Sequence, residues 1–299
     1  MDRKDLIFKP GLADNGKPII DIRTIPLRAV LKLAKLPPLE DEWNAHDAVG
    51  GLVDDKMFGN DRYGCCVISA WAHNTLTFEK FEQGIVLPIT DQEVIDEYFR
   101  QSGGVDSGLY ITKALNEWRN TGWTAAGQDH SIYAHAGTDH RDHTQIKYGI
   151  QLLNNAYFGM AVYEQDIEQF KNEEPWHLTN DSGRFLGGHA VYAHAYTDKT
   201  ATTHFATNQN GKGVYSCTSI NGITGMTWGE EQFMTWEFWN TRVIQSHAVI
   251  DNKNKWQGDD SPVNIPLLES YLQEITGTSP DGSGCATPGI GKLLEKIKV

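Results

Sequence analysis

The chain has 299 residues, enough to bury a substantial core, and a formal net charge of −13 with no lysine/arginine cluster before Lys292 to Lys298. Such an acidic balance argues against nucleic acid or an anionic membrane as the main partner. Nothing approaches the ~20 uninterrupted apolar residues of a membrane-spanning helix, and Leu6-Ile7-Phe8 is too short for the apolar core of a secretory signal. The expectation is a soluble globular protein, cytoplasmic or packaged in a particle.

Residues 1 to 40 read as an extended arm. They carry turn signals at Pro10-Gly11 and Asn15-Gly16-Lys17-Pro18, then an amphipathic stretch (Leu27, Val30, Leu31, Leu33, Ala34) stopped by Pro37-Pro38. Residues 66 to 83 keep helical period, with Val67, Trp71, Phe78 and Phe81 on one side and Gly84 as the stop. Thr90-Asp91-Gln92-Glu93 has capping-box spacing before a short helix that ends at Gly103-Gly104. A further helix is expected from near Ser107 to Gly122. The histidines at 130, 135, 140 and 143 are spaced five, five and three apart, which matches no helical ligand pair, and the segment reads as a polar surface loop without a metal.

A helix over about Gln145 to Asn154 then leads into strand candidates at Phe158 to Glu164, Ala190 to Tyr196, Gly213 to Ile220 and Glu237 to Gln245. Trp236, Phe238 and Trp239 read as core of the strand-rich half. Residues 251 to 299 look appended: a turn at Asp259-Asp260-Ser261-Pro262, a helix near Leu267 to Ile275, and a Gly/Ser/Pro stretch over Gly277 to Gly291. That stretch lacks the Lys-Ser/Thr ending of a phosphate loop, so no nucleotide or other cofactor is expected. Helices dominate the first half and strands the second.

Four cysteines (Cys65, Cys66, Cys217, Cys285) do not make a disulfide framework in a chain this long, and the adjacent pair could bridge only with strain. Cys66 falls in the first turn of the helix that begins there, where the helix dipole favours a thiolate. His189, in Gly187-Gly188-His189-Ala190-Val191-Tyr192, is the leading partner for that thiol. Cys65 is the rival nucleophile, turned about 100° around the helix, so one of the two at most can face His189.

The order of short motifs resembles papain-like cysteine peptidases over roughly residues 36 to 245. Leu36-Pro37, Trp43 and Val49 precede Asn60, which stands six residues before Cys66, the family's offset between oxyanion-hole glutamine and nucleophile. Thr90 to Asp96, Gly103-Gly104, Phe158 to Tyr163, Gly188-His189-Ala190-Val191 and Asn221 with Thr227-Trp228-Gly229-Glu230 follow in the family's order. The resemblance implies an α+β, two-lobe fold: a helical lobe at about 50–125 and an antiparallel β-barrel-like lobe at about 130–250, within a domain spanning 41–250. The 1–40 arm and the 251–299 extension would wrap the outside or serve protein assembly.

It further implies Cys66 as nucleophile, His189 as general base and acid, Asn221 as the residue steadying the imidazole, and Asn60 with the Cys66 N–H as oxyanion donors. The implied activity is hydrolysis of a peptide or isopeptide bond in a peptide or protein substrate through an acyl-thioester. The sequence also departs from the family. Asn60 is one methylene shorter than glutamine, Gly222-Ile223-Thr224 stands where the family has its shielding tryptophan, and no long inhibitory prosegment precedes Leu36. An insertion at roughly Asp198 to Lys212 would lie near the site. These departures keep open a catalytically impaired scaffold, a binding or structural protein such as a virion subunit, since similar Gly-Asn-Asp-x-x-Gly-x-Cys openings occur in bacterial and bacteriophage sequences. An acyltransferase is not separable from a hydrolase here.

Overall fold

The computed structural model describes residues 3–5, 8–13, 24–51, 53, 56–199 and 221–276. The expected strand at Gly213 to Ile220, the bulk of the 198–212 insertion, Cys217, Cys285, the Asn15 to Pro18 turn and the tail from 277 onward lie outside them.

The elements run α1 (Leu27–Val30), β1 (Glu42–Asn44), α2 (Ala45–Ala48), α3 (Cys66–Gln83), α4 (Asp91–Ser102), α5 (Ile111–Asn120), β2 (Trp123–Ala125), β3 (Gln128–His130) and β4 (Ala134–Thr138). Then come α6 (His143–Leu153), β5 (Ala156–Tyr163), α7 (Glu164–Lys171), β6 (Phe185–Thr197), β7 (Gly222–Thr227), β8 (Glu230–Thr235), α8 (Trp236–Arg242), β9 (Val243–Ile250) and α9 (Ile265–Thr276).

The helices of the first half form where their end signals stand. α3 stops at Gly84, whose φ of 71° is the left-handed cap that glycine takes without strain. α4 opens with both reciprocal bonds of a capping box between Thr90 and Glu93. The strands of the second half join one antiparallel sheet in the order β4-β9-β5-β6-β7-β8, with β1 also paired to β6. The α+β, two-lobe expectation is met, although no pairing of β4 with β8 closes this sheet into a barrel among the described residues.

Apolar side chains of α3, α4 and α5 pack with Tyr157, Ala190 and Tyr192 of the sheet in one core. A second core gathers Phe158, Val191, Trp228, Trp236, Phe238 and Trp239 with α7 and α8. The first core packs α3 against one face of β6, through Ala190 and Tyr192, and the second packs the other face, through Val191 and Ala193. Because burial of one Leu- or Phe-sized side chain is worth about 1.5–3 kcal/mol, the placement of these two elements is strongly determined.

Several expectations are corrected. The third helix begins at Ile111, not Ser107: Gly108 takes a φ of 75°, its N–H is held by the Tyr98 hydroxyl, and Leu109 is extended. Residues 236–242 are helical because the Thr235 hydroxyl caps them by accepting from the Phe238 N–H, and the strand starts only at Val243. The 130–143 segment is not a surface loop: it contains β4, and His130 and His135 are buried against Glu79 and Asn116. The terminal extensions enter the packing. Ile25, Leu27, Val30 and Leu31 form a third core with Ile265, Leu268 and Tyr271 of α9.

Candidate active site

Cys66 is the first residue of α3, delivered by a tight turn over residues 57–64. Phe58 and Gly59 take φ of 52° and 75°, the N–H groups of Arg62 and Tyr63 both reach the Gly59 carbonyl, and the Gly64 N–H is held by Asp106 at 2.9 Å. The turn places Cys65 at the N-cap and Cys66 one step on. Cys65 faces the interior of the helical lobe, where its sulfur donates to the Phe58 carbonyl at 3.4 Å and lies 3.6 Å from the Ser69 hydroxyl. Burial pushes its thiol up to about 12, despite the opposing bond from Ser69. A thiol so resistant to ionisation is a poor nucleophile.

The sulfur of Cys66 lies against β6, accepting the Ala190 N–H at 3.4 Å. Folding therefore brings residue 66 to the residue next to His189, across a sequence gap that only the tertiary structure closes. The His189 imidazole is nearly flat on the Trp228 indole, with centroids 4.2 Å apart and planes 18° apart. Its Nε2 lies 2.7 Å from the Thr227 hydroxyl, and its buried Nδ1 has no hydrogen-bond partner. Burial pushes this imidazole down to about 3, since a second proton would be a charge removed from water.

Thr227, not Asn221, is the side chain that holds the ring. The pairing of Tyr192 with Met226 and of Thr197 with Gly222 puts Asn221 beyond the far end of β7, about 20 Å of strand away from Thr227 at ~3.3 Å per residue. The expected degraded shield is likewise corrected: Trp228 covers His189 directly. It can do so because β7 and β8 are joined by a two-residue turn in which Trp228 and Gly229 both have positive φ, 46° and 75°. The sequence carries this signal in Thr227-Trp228-Gly229-Glu230, whereas the family resemblance points to Asn221, six residues upstream, as the ring holder.

Asn60 stands in the turn before Cys66 with its amide committed to backbone, donating to Tyr63 O at 3.0 Å and to Lys9 O at 3.4 Å. The second bond shows what covers the site. The arm does not wrap the outside: residues 8–13 thread between the lobes. The Leu12 N–H donates to Gly188 O at 3.0 Å, the Ala13 N–H to Leu109 O at 3.0 Å, and the Leu109 N–H to Gly11 O at 2.9 Å.

The channel is lined by glycines because backbone meets backbone there. A Cβ on Gly64 would lie 3.1 Å from the Gly11 Cα, one on Gly108 would lie 2.4 Å from the Gly11 carbonyl oxygen, and one on Gly188 would lie 2.8 Å from the Leu12 Cβ. Phe8 packs edge-on against Trp228 at 4.7 Å, and Arg3 is buried with its guanidinium over Phe170. Cys66 and His189 are each left 1% exposed. No long prosegment precedes Leu36 in this sequence, but the short segment 8–13 fills the cleft between the lobes.

No helix of the described residues is long and apolar enough to cross a membrane. No protein-family model matches the sequence, and no curated protein matches it. Solved structures do resemble the fold. Xylellain, a cysteine protease from Xylella fastidiosa, superposes with a TM-score of 0.58 at 16% identity, over 82% of this chain and 99% of its own. Procathepsin B S9 from Trypanosoma congolense gives 0.52 at 11% identity over 84% and 88%. The ragweed pollen cysteine protease Amb a 11 in its proform gives 0.51 at 12% identity over 77% and 71%. The two-lobe architecture, with Cys66 at the head of its central helix and His189 on the facing strand, is therefore the papain-like cysteine protease fold.

Proposed function

We propose that the chain is a thiol hydrolase of the papain-like type, acting on a peptide or isopeptide bond, with Cys66 as nucleophile and His189 as base and then acid. One observation carries this reading: the Cys66 sulfur rests on the Ala190 N–H while the neighbouring imidazole is fixed by Thr227 and Trp228 and keeps its Nδ1 unpartnered.

With Thr227 accepting from Nε2–H, Nδ1 carries the lone pair that takes the thiol proton. The thiolate attacks the scissile carbonyl, an S–C bond forms, and the proton passes from Nδ1 to the leaving amine as the C–N bond breaks. Water, deprotonated by the same nitrogen, then releases the acyl group and restores the thiol. The developing oxyanion would be met by the Cys66 N–H at the α3 terminus and by Asn60. Displacing residues 8–13 removes the Lys9 carbonyl from Asn60 and so returns one amide hydrogen to the site.

The segment must leave before a substrate strand can lie between Gly188 and Leu109, so the structure described is the closed state. A second reading, a scaffold without turnover, is favoured by the same occupancy and by the committed Asn60 amide. The test is mass spectrometry after incubation with a peptidyl thiol trap, on the parent chain and on Gly11→Ala, which crowds the segment out. Adduct confined to Cys66, and lost in Cys66→Ala and His189→Ala, supports the hydrolase. A Gly11→Ala protein that stays folded and takes no adduct would leave the scaffold reading standing.

A further inference from the structure

Away from the thiol, β6 carries a second histidine, His194, five residues beyond His189 and fully buried. Its ring lies on that of His46 from α2, with centroids 3.7 Å apart and planes 9° apart. Each ring is tied by one nitrogen. His194 Nδ1 is 3.1 Å from Asn44 Oδ1, an oxygen identified as such because it also accepts the His46 backbone N–H at 2.9 Å. His46 Nε2 is 3.3 Å from Thr77 Oγ1, whose single hydrogen goes to the His73 carbonyl at 3.1 Å.

Both partners therefore accept, both tied nitrogens carry the hydrogen, and the lone pairs fall on His194 Nε2 and His46 Nδ1. These two nitrogens are buried and lack a hydrogen-bond partner. Both face one oxygen of Glu231, the second residue of β8, at 3.3 Å from His194 Nε2 and 3.6 Å from His46 Nδ1. Two imidazole lone pairs and a carboxylate oxygen thus converge with no donor among them. Three acceptors repel one another unless a cation is shared between them.

We propose that His46, His194 and Glu231 bind a divalent transition metal of the zinc type, which clamps the β1–α2 segment to β6 and β8. The three ligand atoms lie within 4.8 Å of one another. Ligands at about 2.0–2.2 Å from a tetrahedral zinc are about 3.3–3.6 Å apart, which spans the two separations to the carboxylate, 3.3 Å and 3.6 Å. Two neutral imidazoles with one carboxylate are a donor set zinc takes readily, and a single proton could bridge only one of the two nitrogens to Glu231. Asn44 and Thr77 occupy the outer positions that fix tautomer and ring direction in such sites. Glu231 is 44% exposed, which gives the ion a way in. Binding requires the stacked rings to fan apart about their Cβ–Cγ bonds, with the bonds to Asn44 and Thr77 as pivots.

The full chain, stripped of metal with a chelator, is titrated calorimetrically with Zn²⁺ and, separately, with Co²⁺ followed by visible absorption. The expectation is one ion per chain, a tetrahedral cobalt spectrum without thiolate charge-transfer absorption, and at least ~10-fold weaker binding in His194→Gln and in Glu231→Gln. Glu231 is half exposed, so its variant keeps the test decisive if His194→Gln fails to fold. Absence of stoichiometric binding, a sulfur-ligated cobalt spectrum, or unchanged affinity in Glu231→Gln would overturn the proposal.

Discussion

Gly11→Ala separates the closed cleft from every other feature of the fold. Gly11 has no left-handed φ, so alanine costs nothing in backbone conformation there. Its methyl would lie 2.0 Å from the Gly64 carbonyl oxygen and 2.3 Å and 2.6 Å from the Gly64 carbonyl carbon and Cα, all backbone atoms that no rotamer can move. Gly64 cannot retreat cheaply, because its N–H is held by Asp106, which also accepts from the Tyr98 hydroxyl at 2.7 Å. Relief comes from lifting residues 8–13, which are held by three backbone hydrogen bonds and the burial of Leu12.

Overpacking of this kind costs about 1–3 kcal/mol, which multiplies the open fraction by about 5- to 150-fold. Alkylation of Cys66 by iodoacetamide, read by mass spectrometry near neutral pH, follows that fraction when opening is fast relative to labelling. The rate at Cys66 should rise by that factor while Cys65 stays unmodified. Urea unfolding run in parallel separates local opening from global loss. An unchanged rate at Cys66, or acceleration at Cys65 equal to that at Cys66, would refute the view that the segment guards the thiol.

Thr227→Val keeps the shape of the side chain but leaves His189 Nε2 buried without its partner, so stability should fall by about 1–3 kcal/mol and the alkylation rate of Cys66 in the Gly11→Ala background should drop. Thr227→Ser should restore both, and equal behaviour of the two variants would remove Thr227 from the site. Acid should destabilise the protein through its buried neutral histidines: His73 and His189 are pushed down to about 3 and His247 to about 4, in each case by burial first. The unfolded chain binds protons to these rings at the ordinary value near ~6.5, so their stabilising effect is complete above that pH and is lost as pH falls toward the folded values. At about pH 5.5 each ring costs about 1.4 kcal/mol, about 4 kcal/mol together. Urea midpoints that match at about pH 7.5 and about pH 5.5 would contradict this.

The sequence by itself determined what is local. The helix over 66–83 is legible from its period and Gly84, the next from its Thr90–Glu93 box, and Cys66 at a helix start from both. The strand candidate over Ala190 to Tyr196 marks most of β6, and the order of the motifs points to the papain-like fold.

What the tertiary structure alone decided is which distant groups share a space, because that depends on strand register and on the path of irregular chain, neither of which has a periodic signature. Register gave the ring-holding place to Thr227 and carried Asn221 to the opposite end of β7, an outcome that motif order could not fix. The arm was legible as extended, but its docking in the cleft rests on glycines at 11, 64, 108 and 188 that are separate in sequence and face one another only after folding. His46, His194 and Glu231 come from three elements with no common spacing, so their convergence is created by the pairing of β1 with β6, of β6 with β7 and of β7 with β8. Short-range order is written in period and caps, whereas chemistry that joins two lobes exists only once their cores have packed.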